Sequence, residues 1–177
     1  QLYFANENPY RNNADQEISM YRSFDNGLTW SDYTTVSYRA GHRDGMPVPV
    51  YLQNNKGIAY CIEDNGLNGD FKPSIVTSST ADNWKQGAAL WNSNRRWGAL
   101  RSDYALGSAV YAGAPYLIQL PSGETVLSTQ SSEGRINGND AFTEVYIGTD
   151  EAKDFSRKST PFPWIPATGN ALWNAMA

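Results

Sequence analysis

The sequence predicts an all-β protein, and three observations lead to this fold class. The 177 residues are 40% hydrophobic and 13% aromatic, which is enough apolar material for a folded core. Short apolar or alternating runs, such as Leu2–Ala5, Ile58–Ile62 and Thr125–Ser128, are separated by clusters of Asn, Gly, Asp and Ser. Helical periodicity is almost absent. The chain is therefore expected to fold as short strands joined by turns.

The strands recur as a repeat. The segment Gly45–Leu52 aligns without a gap on Gly113–Leu120 at an offset of 68 residues, and the same offset carries Gly57–Tyr60 onto Thr125–Ser128. A later pair of segments aligns at an offset of 71, namely Phe71–Trp84 on Phe142–Phe155. An earlier unit matches the second one in two places, Leu2–Asn8 on Ile58–Asp64 and Ser23–Trp30 on Thr77–Trp84.

Units of about 55–70 residues with four strands each are typical of β-propeller blades. The repeat predicts that residues 1–177 form part of one propeller domain of four-stranded antiparallel blades. The strands of each blade are lettered a to d from the propeller axis outwards. Strands b–d of a first blade fall in 1–40, a second blade in 41–95, a third in 110–162 and the first strand of a fourth in 168–177. Three blade equivalents are present, so the remainder of the propeller is expected from a missing segment or a second chain.

The first unit contains the motif Ser23-x-Asp25-x-Gly27-x-Thr29-Trp30. The Asp side chain can accept N–H groups across a tight turn, Gly permits positive φ, and Trp can bury itself between neighbouring sheets. The motif resembles the Asp box, or BNR repeat, of the sialidase superfamily. Decayed copies follow, one ending at Trp84 and one running from Asp150 to Phe155.

Composition excludes several classes of function. Lys and Arg number 14 against 18 Asp and Glu, a net charge of −4, so a nucleic-acid partner is not expected. No apolar run approaches the roughly 20 residues of a membrane helix, which argues against a membrane partner. One Cys and one His cannot build a disulfide or a multi-histidine zinc site, and no calcium loop is present. No metal or cofactor is predicted, and catalysis is expected from carboxylates, tyrosines or arginines.

Three b strands end near a carboxylate, at Glu7, Glu63 and Glu133, and all three face the same end of the predicted blades. The d–a connections reach that end too, and they carry Arg43, Asp44, Trp97, Tyr111 and Trp164. Carboxylates and Arg rimmed by aromatic rings suit a glycan, because rings stack on sugars and paired Glu groups divide catalytic roles. The alternatives are solvated Glu side chains, an Arg43–Asp44 ion pair, and Trp side chains that fill gaps between blades.

The segments Tyr3–Asn8, Arg43–Pro47 and Gly113–Pro115, together with the Asp box, resemble glycoside hydrolase family 93. The resemblance implies a six-bladed, retaining exo-α-1,5-L-arabinanase that acts on arabinan and uses no cofactor. It places the catalytic pair at Glu63 and Glu133, and substrate contacts at Glu7, Arg43 and Asp44. Retention requires the two carboxyl groups to lie about 5–5.5 Å apart. Glu133 falls two residues beyond the repeat register.

Two other functions stay open. A sialidase would use a Tyr nucleophile, Tyr104 or Tyr111, and an arginine triad. Its arginines would come from Arg43, Arg95, Arg96, Arg101 and Arg135. A non-catalytic propeller would bind glycans or proteins through the same rim. The neutral polysaccharide substrate class leads us to expect a secreted or periplasmic protein.

Overall fold

A computed structural model shows the all-β architecture that the sequence predicts: three four-stranded sheets. It describes residues 1–65, 70–79, 84, 87–90, 92–101, 105–136, 140–161, 166, 168–170 and 174–177. Sheet 1 contains β1 (Leu2–Asn6), β2 (Glu17–Tyr21), β3 (Thr34–Tyr38) and β7 (Ala89–Leu90). Sheet 2 contains β4 (Asp44–Leu52), β5 (Gly57–Asp64), β6 (Lys72–Ser78) and β8 (Arg96–Gly98). Sheet 3 contains β9 (Ala112–Gln119), β10 (Thr125–Ser131), β11 (Phe142–Gly148) and β12 (Arg157–Ser159).

Helix is almost absent from the part of the chain that the structure describes, where a 3₁₀ turn spans Asn8–Tyr10. None of the helical structure in these residues is long and apolar enough to cross a membrane.

The strand pairs are antiparallel except that β7 runs parallel to β3 at the outer edge of sheet 1. The second repeat therefore contributes a strand to sheet 1 before β8 completes sheet 2. This arrangement differs from the sequence expectation in two respects. Ala89–Leu90 falls in the predicted second blade but joins sheet 1. The second blade was expected to end at 95 and Trp97 to lie in a connection between blades, but Arg96–Gly98 is the outer strand of sheet 2.

Strand pairing also refines the repeat. Gly45 lies opposite Glu63, and Gly113 lies opposite Gln130, so the offset is 68 residues in the inner strand but 67 in the second. The turn from Leu120 to Glu124 is one residue shorter than the turn from Leu52 to Gly57. The expected gapless alignment of the second strands was wrong by one residue. The counterpart of Glu63 is Gln130, and Glu133 lies three residues beyond it.

The two inner strands share a bulge near their first residues. Met46 and Ala114, 68 residues apart, have φ values of 51° and 43°. Each follows Gly and precedes Pro, and the pairing register shifts beside each. A left-handed conformation in a bulge re-aims the local backbone. The repeated Gly-x-Pro sequence is thus associated with a β-bulge in both inner strands.

Two apolar layers join the sheets. Ile18, Met20 and Val36 of sheet 1 pack with Tyr60 and Val76 of sheet 2. On its other face, sheet 2 packs Ala59, Cys61 and Ile75 against Leu127 and Tyr146 of sheet 3 and against Phe155 of the β11–β12 connection. Cys61 is buried, as its apolar strand predicts.

The Asp-box turn forms as its residues predict. Asp25 Oδ1 accepts the Thr29 N–H at 2.8 Å, and Oδ2 accepts the Thr29 hydroxyl at 2.6 Å. These hydrogen bonds, with one from Ser23, lower the pKa of Asp25 to about 2. The terminal aromatic residues of the later copies are buried: Trp84 is 1% exposed and donates to Tyr3 at 3.0 Å, and Phe155 lies between sheets 2 and 3.

Candidate functional site

Polar side chains gather at one end of the sheets, where β1 and β5 finish and β4 and β9 begin. We call this set the polar rim: Glu7, Gln16, Arg43, Glu63 and Tyr111. Four of the predicted site residues belong to it, and Gln16 is a member that sequence reasoning missed.

Glu63 is the penultimate residue of β5. Strand alternation places it on the same face as Ala59 and Cys61, which is the face packed against sheet 3. Glu63 Oε1 accepts the Tyr111 hydroxyl at 2.9 Å and also the Ala114 N–H. The left-handed φ of Ala114 aims that N–H at the carboxylate. The bulge in β9 is thus part of the site.

Tyr111 remains a hydrogen-bond donor at neutral pH. Burial raises the pKa of Tyr111, and the neighbouring Glu63 carboxylate raises it further. The backbone of Tyr111 is held on both sides. Its N–H donates to Ser132 Oγ at 2.9 Å, and its carbonyl accepts the Ser132 N–H at 2.9 Å. The buried Lys72 ammonium donates to the Val110 carbonyl and anchors the preceding residue. These contacts fix the phenol beside Glu63.

Gly113 permits this pairing. A Cβ at Gly113 would lie 2.1 Å from Glu63 Oε1 and 2.2 Å from the Tyr111 hydroxyl. A side chain at this position would displace one partner or both. The sequence signal was the Gly113–Pro115 repeat, although its link to Glu63 required the fold.

Glu7 and Arg43 occupy the positions in the preceding repeat that correspond to Glu63 and Tyr111. Arg43 precedes Tyr111 by the 68-residue offset, and Glu7 aligns with Glu63. Arg43 makes an ion pair with Glu7 and donates to Gln16 Oε1 at 2.6 Å. Glu7 is therefore neutralised by a cation, whereas Glu63 is held by uncharged donors.

The two pairs adjoin each other through Gly45. A Cβ there would lie 3.2 Å from Gln16 Nε2 and 3.8 Å from Glu63 Oε2. Gln16 links the two sheets further, because its Nε2 donates to the Asp44 carbonyl at 2.6 Å. The polar rim is one continuous row across sheets 1, 2 and 3.

Glu133 has different partners. It forms an ion pair with Lys158 of the outer strand β12, whose ammonium also lies 3.1 Å from Glu144 Oε1. Glu144 is 1% exposed and accepts the Tyr146 hydroxyl at 2.5 Å. Burial raises the pKa of Glu144, while Tyr146 and Lys158 oppose the shift. The described contacts of Glu63 and Glu133 do not include each other. Sequence reasoning missed Glu144, whose one signal is a carboxylate inside an apolar strand.

Asp44 belongs to a buried ion cluster. Both of its carboxylate oxygens accept hydrogen bonds from Arg96 at 2.7 Å, and Oδ2 also accepts the Ser37 hydroxyl at 2.9 Å. Arg96 pairs with the buried Asp64 as well. Burial raises the pKa of Asp44, and the Arg96 guanidinium opposes this shift. Asp44 was expected to contact substrate or pair with Arg43, but it ties sheet 1 to sheet 2 inside the protein.

The predicted aromatic residues of the rim are not all near Glu63. Trp97 lies on β8 and packs against the apolar layer between sheets 2 and 3. This position corresponds to the alternative in which the Trp side chain fills a gap between sheets. Trp164 and Tyr104 lie outside the described residues.

A cleft of about 320 Å³ opens between the two bulges, beside the Ala114 N–H that binds Glu63. It is lined by Met46, Pro47, Val48, Ala114, Pro115, Tyr116 and Asn174. This volume lies at the lower end of the range for small-molecule sites. Within the described ranges, no group of three His, Cys, Asp or Glu side chains could hold a metal ion.

Comparisons with known proteins show a shared fold. No protein-family model matches the chain, and no curated protein matches it in sequence. A crystal structure of a protein of unknown function from Dyadobacter fermentans DSM 18053 is similar, with a TM-score of 0.55 and 16% identity over 82% of this chain. The match covers 33% of that protein, so the chain spans about a third of its length.

Proposed function

We propose that the chain is part of a β-propeller glycoside hydrolase of the sialidase superfamily that cleaves a neutral, arabinan-like glycan with retention. The observation that carries this proposal is Glu63, a half-buried carboxylate that accepts hydrogen bonds from Tyr111 and from Ala114, which lines the cleft between the bulges. A secreted or periplasmic location follows from this substrate class.

The exposed side of sheet 1 supports the propeller. In the second and third units the last Asp-box aromatic, Trp84 or Phe155, packs against the preceding sheet. Its counterpart Trp30 is 48% exposed, and Leu2 and Tyr33 are exposed as well. A further sheet of the same kind, the remainder of the propeller, would cover this apolar surface.

In the proposed reaction Glu63 is the nucleophile. Tyr111 and Ala114 hold Oε1, and the carboxylate attacks the anomeric carbon to form a glycosyl ester. A second carboxyl group gives its proton to the departing sugar oxygen. It then takes a proton from the water that cleaves the ester, which restores both groups. Glu133 is the proposed acid/base and would have to exchange Lys158 for the substrate.

The charges of the polar rim support a neutral sugar. The Glu63 carboxylate accepts hydrogen bonds from uncharged donors, and a carboxylate at the rim repels an anionic substrate. Three of the five arginines that could grip a sugar carboxylate are engaged elsewhere: Arg43 with Glu7, Arg96 with two aspartates, and Arg135 with the carbonyls of Pro166 and Gly169.

One observation favours a second candidate. A Tyr paired with a Glu is also the arrangement of a sialidase-type Tyr nucleophile, and Tyr111 donates to Glu63 at 2.9 Å. The raised pKa of Tyr111 argues against its use as a phenolate. A non-catalytic glycan-binding propeller is the remaining candidate.

The test is an assay of the complete protein on arabinan oligosaccharides and on an aryl sialoside. We expect arabinan cleavage with retention, and Glu63→Gln should lower kcat by about 10²–10⁴-fold. Glu133→Gln should lower it as well. Glu124→Gln is the control, because Glu124 lies in the turn at the opposite end of the sheets. Full activity in both Glu63→Gln and Glu133→Gln would reject the carboxylate mechanism. Sialoside cleavage lost in Tyr111→Phe would select the sialidase, and binding without turnover would select the binding module.

A further inference from the structure

A second groove lies outside the polar rim. One cleft of about 530 Å³ opens between the β4–β5 hairpin, the end of β6 and the β11–β12 turn, at the end of the sheets opposite Glu63. A second cleft, of about 310 Å³, runs along the outer strand β8. Trp97 and Lys153 line both clefts, so the two form one groove around the Trp97 indole.

The groove is positive in a chain of net charge −4. Four basic and two acidic side chains line it: Lys56, Arg95, Arg101, Lys153, Glu151 and Asp154. Lys56 pairs with Asp150, which lies just outside the lining, and Lys153 pairs with Glu151 at 2.8 Å. The basic charge still exceeds the acidic charge when Asp150 is included. Such a surface attracts anions to an otherwise acidic protein.

Two residues that line the groove each have a buried donor without an acceptor. Arg95 NH1 and Trp97 Nε1 have no hydrogen-bond partner in the described structure, although Arg95 NH2 donates to the Gly87 carbonyl at 2.8 Å. Both groups can only donate, and leaving them unpaired carries a desolvation cost. A ligand rich in acceptor oxygens would remove that cost after a small opening of the side chains.

The remaining lining suits a sugar chain. Trp97 contributes an aromatic ring, and the Lys153 ammonium lies over this ring, 5.6 Å from its centroid. Thr77, Ser78, Ser79 and Asn94 add hydroxyl and amide groups that can bond to sugar hydroxyls. An aromatic ring among small polar groups and cations matches a carbohydrate with acidic groups better than a simple ion.

We propose that this groove binds an acidic glycan, a sugar chain that carries carboxylate or sulfate groups, at a site distinct from the polar rim. Arg95, Lys153 and the Trp97 indole N–H contact the acidic groups and ring oxygens. The groove would hold the protein on an acidic polysaccharide whether or not the rim is catalytic.

The test is calorimetric titration of the complete protein with hexagalacturonate as the probe. We expect binding that weakens with added salt and that falls by about tenfold or more in Lys153→Gln and in Arg95→Gln. Arg157→Gln is the matched control, because Arg157 is 63% exposed at its side chain and pairs with Glu124 outside the groove. It should change the affinity less than twofold. Lys153 is 49% exposed at its side chain, so its variant is expected to fold.

Three parallel titrations identify the ligand class. Inorganic sulfate and single-stranded DNA should bind much more weakly than hexagalacturonate, and Trp97→Phe should weaken hexagalacturonate while preserving the packed ring. If sulfate bound as tightly as hexagalacturonate, the groove would be a simple anion site and the proposal would be overturned. Tighter binding of DNA than of hexagalacturonate would also overturn it. Absence of binding at millimolar hexagalacturonate, or equal weakening by Arg157→Gln, would also overturn it.

Discussion

Substitution of Gly113 by Ala should disrupt the polar rim, although it leaves Glu63 and Tyr111 themselves unsubstituted. The new Cβ would lie 2.1 Å from Glu63 Oε1 and 2.2 Å from the Tyr111 hydroxyl, whereas an ordinary contact is 3.4 Å or longer. One partner must therefore retreat by more than about 1 Å, which breaks a hydrogen bond of 2.9 Å.

Two costs contribute to the expected magnitude. Loss of a hydrogen bond to a charged group costs about 1.5–3 kcal/mol, and overpacking costs about 1–3 kcal/mol. We expect the free energy of unfolding to fall by about 2.5–6 kcal/mol in urea denaturation, and kcat on arabinan oligosaccharides to fall more than KM changes. Gly107→Ala is the control, because a Cβ there would meet Val110 at an ordinary 3.8 Å. Equal stability and activity of Gly113→Ala and the parent protein would refute the geometry of the Glu63–Tyr111 pair.

Three further predictions concern the groups around the site. Arg96→Met should lower the free energy of unfolding by about 3–5 kcal/mol, because it leaves two buried aspartates without their cation; a loss below about 1 kcal/mol in urea titration would contradict this. Asp25 has a pKa of about 2 when folded against about 3.9 when unfolded, so its stabilisation is present above pH 4 and is lost as the pH falls towards 2. The urea midpoint should therefore fall less between pH 4 and pH 2 in Asp25→Asn than in the parent protein. An equal fall in both proteins would argue against the Asp-box hydrogen bonds. Lys72→Met should release the Val110 carbonyl and loosen Tyr111, so hydrogen exchange at the Tyr111 amide should accelerate, while Lys72→Arg should restore part of the protection.

The sequence predicted those features that depend on local chemistry. The Asp-box turn follows from Ser23, Asp25 and Thr29, which satisfy one another within a few residues. The first three strands of sheets 2 and 3 and their order follow from the repeat. The polar rim follows from placing Glu7 and Glu63 at the ends of equivalent strands.

Features that depend on distant partners were not predictable from local patterns. Asp44 pairs with Arg96, 52 residues away, and no local signal distinguishes that partner from Arg43. A turn shortened by one residue moved the counterpart of Glu63 to Gln130, which a gapless alignment conceals. Ala89–Leu90 pairs with sheet 1 through two residue pairs, too few to leave a pattern. The contacts of Lys158 with Glu133 and Glu144 likewise depend on how β10, β11 and β12 pair.

The most direct test of the central claim is covalent trapping of the nucleophile. The complete protein would be incubated with a 2-fluoro arabinosyl reagent that carries an activated leaving group, digested, and analysed by mass spectrometry. A retaining mechanism with Glu63 as nucleophile predicts an ester-linked sugar on Glu63 that is absent in Glu63→Gln. An adduct on Tyr111 or Glu133, or turnover of arabinan with inversion at the anomeric carbon, would contradict it.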